Sequence, residues 1–161
     1  PRKGGLEGAL LEPKYHAATL WISTSLAAPF VIYLLAVGSV FSGALLLLVI
    51  FSVVAYSAKY LRFKEIPVLD SFTSALHFIG PMLFGLALAG TSLMGDVVIM
   101  ATIAFFLWGM ASHAFGAVQD IRADKDANIA SIATFFGAGL TVKLALGSYL
   151  LAALMLLGLP G

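Results

Sequence analysis

Five long apolar blocks run along the chain, near residues 17–37, 40–58, 71–91, 97–119 and 139–158, with short polar stretches between them. Each has about the 20 residues that a helix needs to cross roughly 30 Å of hydrocarbon. The blocks are continuous and lack the strict alternation of barrel strands. Each is therefore predicted to close its backbone hydrogen bonds within itself, as a helix. Pro29 and Pro81 fall inside two blocks; a soluble helix would break there, whereas a membrane helix tolerates the kink. No internal repeat is visible. The predicted fold class is all-α, a multi-span transmembrane helical bundle in a single domain.

Composition agrees. The chain of 161 residues is 61% hydrophobic and 11% charged, with mean hydropathy +1.03. Soluble domains carry roughly 25% charged residues, so this chain has too little polar surface to face water all round. It has no cysteine, which excludes disulfides and thiolate metal sites. A net charge of +1 gives no footing for nucleic acid as a partner. Arg2-Lys3 is followed by Glu7, Glu12 and Lys14 before any apolar stretch, which is not a signal-peptide pattern. Pro1 stands at the start, and Leu159-Pro160-Gly161 follows an apolar run directly. Both ends read as cut, and the chain is expected to be a piece of a longer protein.

Charge then orients the bundle. Arg2, Lys3, Lys14, Lys59, Arg62, Lys64, Arg122 and Lys125 all fall on one side of the predicted spans. The positive-inside rule makes that side cytoplasmic. Lys143 lies near the start of the fifth block, within reach of the same interface by snorkelling. The acids Glu7, Glu12, Glu65, Asp70, Asp120, Asp124 and Asp126 share this side, leaving Asp96 opposite. Topology has no need of carboxylates, so a charge-mixed face suggests a polar site at one mouth of an apolar bundle.

The sharpest feature there is Asp120-Ile-Arg-Ala-Asp124-Lys125-Asp126. If helix continues through it, Asp120 and Asp124 share one face. Two such carboxylates repel unless a cation lies near, and Mg²⁺ takes one or two carboxylates together with phosphate oxygens and water. Spacing alone leaves a solvated membrane-exit loop equally open. One helical face back from Asp120 come Gly116, His113 and Gly109. These either line a cavity or mark tight helix packing, for which small residues are favoured. His113 reads as a packing histidine or an active-site one; His77 reads as structural.

The second charged segment runs from Tyr56-Ser57 through Lys59, Arg62 and Lys64 to Pro67. Arginine and lysine suit phosphate oxygens, but an aromatic-and-basic interface anchor explains the same residues. The third, Pro1-Arg2-Lys3-Gly4-Gly5-Leu6-Glu7-Gly8, is either a phosphate-contacting loop or a plain linker.

Together these segments resemble the UbiA superfamily of membrane prenyltransferases. In that family an Asn-Asp-x-x-Asp-x-x-x-Asp loop precedes a basic stretch, then a Tyr-Ser-x-x-x-x-Arg-x-Lys segment and a second Asp-x-x-x-Asp motif. Tyr56-Ser57 with Arg62 and Lys64 looks like the middle element, and Asp120 with Asp124 like the last. Pro1 to Leu10, His113 to Asp120 and Ser131-Ile132-Ala133-Thr134 are similar to the bacterial lycopene elongase branch, although Asn128 stands where relatives often carry Gly.

The resemblance implies about five spans of a nine-helix bundle, inactive alone because the first acidic loop is missing. It implies a Mg²⁺-dependent enzyme in which Asp120 and Asp124 are catalytic and hold the metal. Arg2, Lys3, Tyr56, Arg62, Lys64 and Lys125 would contact diphosphate, and His113 and Gly116 would line the acceptor pocket. The implied reaction moves an isoprenoid group from an allylic diphosphate, dimethylallyl or longer, to a lipophilic acceptor such as lycopene. The implied setting is the bacterial cytoplasmic membrane, in contact with lipid, with the site on the cytoplasmic side. An aromatic or tetrapyrrole prenyltransferase of quinone or chlorophyll pathways is the alternative within the family. A small-solute transporter is the alternative from another class, although transporters place ionisable groups near mid-bilayer.

Overall fold

A chain surrounded by hydrocarbon must satisfy every backbone N–H and C=O from within, and helices do so segment by segment. The computed structural model describes residues 11–159, and all regular structure among them is helical. A 3-10 turn at Pro13–Tyr15 leads into α1 (His16–Val37). Then follow α2 (Val40–Ser57), a 3-10 turn at Phe63–Glu65, α3 (Leu69–Leu88), α4 (Asp96–Asp126) and α5 (Ile132–Leu157). All five helices are long and apolar enough to cross a membrane. Helix continues through Pro29 in α1 and Pro81 in α3.

The observed bounds depart from the hydropathy blocks at the polar ends. α3 spans Leu69–Leu88 rather than 71–91, and Gly90 turns left-handed just beyond it at φ 73°. α4 does not stop at 119 but carries the acidic segment to Asp126. It ends in a Schellman pair: Ile129 N–H donates to the Asp124 carbonyl (2.8 Å) and Asn128 N–H to that of Lys125 (3.1 Å). Asn128 supplies the left-handed residue at φ 54°.

α5 begins at Ile132, well ahead of the expected 139. Ser131 N–H donates to Thr134 Oγ1 (2.7 Å) and Thr134 N–H to Ser131 Oγ (3.3 Å), a reciprocal capping box. Gly137, at φ 79° and ψ 161°, then kinks the helix. A short first turn therefore sits at the polar mouth, and the apolar rod begins after the kink.

Consecutive helices pack in series: α2 on α3, α3 on α4, and α4 most extensively on α5, while α1 touches α2 only slightly. No residue of α1 is buried. Small side chains set the close contacts. At Gly109 a Cβ would stand 3.1 Å from the Ala75 Cα, so α3 and α4 meet almost backbone to backbone. Ala111, Ala114 and Ala117 of α4 pack with Ile132, Ala133 and Ala145 of α5, and Ser112 Oγ lies 2.9 Å from the Tyr149 hydroxyl. An apolar cavity of about 60 Å³ lies between α2 and α3, lined by Leu45, Val49, Leu76, Ile79 and Leu83.

Candidate active site

Alternation of helix direction brings the ends of α2 and α4 and the starts of α3 and α5 to one mouth. The polar residues gather there. Tyr56, one residue from the end of α2, places its hydroxyl 3.2 Å from His113 Nε2 on α4. Ser71 Oγ, in the first turn of α3, lies 3.1 Å from His113 Nδ1. A neutral imidazole offers one donor and one acceptor, and a hydroxyl can play either part, so both ring nitrogens are satisfied in either tautomer. His113 thus ties three helices together. His77 presents its ring edge to Tyr56, with centroids 5.2 Å apart.

The carboxylates come next. α4 is helical through the acidic segment, so Asp120 and Asp124 share a face one turn apart. Asp120 is partly buried, and Asp124 is almost wholly so, at 3% exposure. Ser131 Oγ donates to Asp124 Oδ2 at 3.1 Å. Asp70 is fully buried at the start of α3. Its Oδ1 accepts the Ser71 N–H (2.6 Å) and its Oδ2 the Ile132 N–H (2.7 Å), which joins α3 to the first turn of α5.

The connection from α2 to α3 holds the basic residues. Arg62 adopts a left-handed conformation (φ 44°) and Val68 another positive φ (72°), costly geometries for residues with a Cβ. Arg62 donates to Glu65, and this hydrogen bond raises the guanidinium pKa above its already high range. Its Nε is shielded from solvent without a hydrogen-bond partner among the described residues. Lys64 is partly buried in the same turn, whereas Lys125 is exposed at the end of α4. Arg2 and Lys3 lie outside the described residues.

The glycines separate by role. Gly109 is packed against α3, whereas a Cβ at Gly116 would meet nothing within 4 Å. Gly116 therefore borders open space on the face that also carries His113 and Asp120. As for a metal, no group of three or more His, Asp or Glu side chains converges among the described residues. Two carboxylates one helical turn apart are nevertheless a donor set of the kind Mg²⁺ uses when phosphate and water complete its shell, so these residues fit the ion.

Comparison with known proteins decides the family. The UbiA prenyltransferase family matches residues 13–161. The chain belongs to that family. Its relatives include the C(50) beta-cyclic carotenoids biosynthesis protein LbtBC of Dietzia sp., 52% identical over 98% of this chain and 36% of that protein. The lycopene elongase/hydratase of Corynebacterium glutamicum is 47% identical over 99% of this chain and 55% of its own length. That of Halobacterium salinarum is 36% identical over 61% of this chain and 34% of its own. The chain therefore spans between about a third and a little over half of these relatives. No solved structure matches. Family and helices together make this UbiA chain part of an integral membrane protein.

Two residues of the site have little weight in the sequence: Asp70 is one acid among several there, and Ser71 has no evident role. A signal exists for Asp70, since an acid in the first turn of a helix, shortly after Pro67, meets unpaired backbone donors. The Ser131-x-x-Thr134 box is legible as well, but nothing in the spacing ties Ser131 to Asp124.

Proposed function

We propose that this UbiA-family chain is part of an integral-membrane prenyltransferase. It would transfer an isoprenoid group from an allylic diphosphate to a lipophilic acceptor, with lycopene elongation in carotenoid biosynthesis as its reaction. The observation that carries this reading is the unbroken helix that holds Asp120 and Asp124 on one face, above His113, whose Nε2 meets the Tyr56 hydroxyl. The names of the relatives support the carotenoid acceptor. The basic side of the helices supports a site on the cytoplasmic face of a bacterial membrane.

Breaking the carbon–oxygen bond of the donor requires stabilisation of the charge that builds on diphosphate. Arg62, Lys64, Tyr56 and Lys125, with Arg2 and Lys3, are the groups assigned to bind it. A diphosphate oxygen is the kind of acceptor that Arg62 Nε lacks among the described residues. Asp120 and Asp124 would hold Mg²⁺, which when bound neutralises charge on the phosphate oxygens. The allylic cation left behind must be kept from water, a task that would fall to the apolar helices below the mouth. The acceptor alkene then forms the new carbon–carbon bond, and loss of a proton completes the product. Gly116 leaves space for the acceptor beside His113.

The test uses membranes containing the full-length protein, supplied with dimethylallyl diphosphate and either lycopene or 4-hydroxybenzoate. Prenylated lycopene is the expected product; a prenylated aromatic ring would move the enzyme to the quinone branch. Asp120→Asn and Asp124→Asn should each lower turnover by about 100-fold or more. Near-normal turnover in both would remove the acids from the mechanism.

A further inference from the structure

A buried carboxylate outside the acidic motif has both oxygens committed to backbone amides. Asp70 is 0% exposed, with Oδ1 on the Ser71 N–H at 2.6 Å and Oδ2 on the Ile132 N–H at 2.7 Å. A carboxylate is costly to bury unless its charge is met, and here the N-terminal turns of α3 and α5 both meet it. The two amides also connect Asp70 to the rest of the mouth. Ile132 adjoins Ser131, whose hydroxyl donates to Asp124 Oδ2 at 3.1 Å. Ser71 adjoins Asp70 and meets His113 Nδ1 at 3.1 Å. One dipeptide on α3 therefore sets the start of α5 and the imidazole of α4.

We infer that Asp70 is a positioning residue: by anchoring Ile132 to α3 it holds Ser131 in place to orient the Asp124 carboxylate for a divalent cation. This rests on the metal-binding role proposed above for Asp120 and Asp124. Asp70 itself is not assigned as a ligand, since it is fully buried and each oxygen already accepts an amide, one from α3 and one from α5. The capping box of α5 is satisfied by Ser131 and Thr134 alone, so the helix start does not need Asp70 in order to form. It needs Asp70 to sit in a defined place against α3.

The full-length protein in detergent provides the test, with Mn²⁺ as the probe and its binding followed by electron paramagnetic resonance. Asn in place of Asp70 can accept one N–H but turns its own N–H₂ toward the other, donor against donor. Asp70→Asn is expected to speed amide exchange at Ile132 and to weaken Mn²⁺ binding about 10-fold, the scale on which partners of metal ligands act. Ser131→Ala keeps the two hydrogen bonds of Asp70 but removes both the link to Asp124 and the side-chain cap on Thr134 N–H. It should weaken Mn²⁺ similarly, with exchange quickened at Thr134, which loses its cap, more than at Ile132, which keeps Asp70; the double variant should be no weaker than the worse single one.

Mn²⁺ affinity within twofold of the parent in Asp70→Asn would show a purely structural anchor and overturn the inference. Should that variant not fold, unchanged affinity in Ser131→Ala overturns it equally. Asp120→Asn separates the two layers. If the parent protein binds no Mn²⁺ that this substitution abolishes, the metal reading itself falls, and this inference with it. If Asp120→Asn abolishes binding while Asp70→Asn and Ser131→Ala do not affect it, only the positioning role is lost.

Discussion

His113 illustrates how a single side chain can be ambiguous in sequence and specific in space. Its two nitrogens face hydroxyls from α2 and α3, so removing either hydroxyl leaves a partly buried ring nitrogen without that partner. Tyr56→Phe is expected to destabilise the protein by about 1 kcal/mol and to raise the KM for the allylic diphosphate more than that for the acceptor. Thermal unfolding in detergent and initial rates at varied donor read the two effects; an unchanged donor KM would leave Tyr56 with a packing role only. Gly109 and Gly116, about one turn to either side of His113, divide in the same fashion. Gly109→Val drives a branched side chain into Ala75, only 3.1 Å from a bare Cβ, and should cost about 1–3 kcal/mol of stability. Gly116→Leu meets open space, so it should preserve the melting temperature while lowering acceptor turnover; equal loss of stability in both variants would contradict this division. In the sequence the two glycines lie on one stripe and are indistinguishable, because the difference depends on what α3 brings opposite each.

At the scale of the helix, hydropathy locates the apolar rods and misses their polar ends. It stops α4 at 119 because Asp120, Arg122, Asp124 and Lys125 lower the local value, yet a helix needs only backbone continuity and a cap. Asn128 supplies that cap at φ 54°, and its identity is a readable signal. Hydropathy likewise starts α5 after Gly137, where the apolar rod begins, and passes over the capped turn before the kink. That turn carries the hydroxyl that holds Asp124, so the missed element is also the one that organises the site. Gly137, at φ 79° and ψ 161°, occupies a region that is essentially closed to other residues. Gly137→Ala is expected to cost about 1–3 kcal/mol or to straighten the kink, drawing Ser131 away from Asp124. Either result should appear as a lower melting temperature together with faster amide exchange over residues 131–136. A variant unchanged in both would show that the kink carries no constraint.

Over the whole molecule, the side on which the charges lie is the property most directly written in the sequence, since each hydrophobic block reverses the chain. The pairwise partners are not written there. Packing in the series α2–α3–α4–α5 depends on where small residues face one another, as Gly109 and Ala75 do, and α1 stands apart with no buried residue. Its outward Trp21 and Phe30 are 72% and 71% exposed, which suits hydrocarbon rather than water. If the five helices cross the membrane in alternation, the connection at 58–68 and the segment at 127–131 open on one side, and the connection at 89–95 on the other. The described chain has no cysteine to interfere, so single cysteines can report each side in a full-length background freed of any others. Tyr60→Cys, at a position 92% exposed, should react with a membrane-impermeant maleimide only in inverted vesicles, where the cytoplasmic face is outward. Ser92→Cys should react only in right-side-out spheroplasts. Labelling of both from the same side would break the alternation, and with it the convergence of Tyr56, Asp70, His113 and Asp124 at a single mouth. Labelling of each from the side opposite to that expected would keep the mouth intact but turn it away from the compartment in which allylic diphosphates are made.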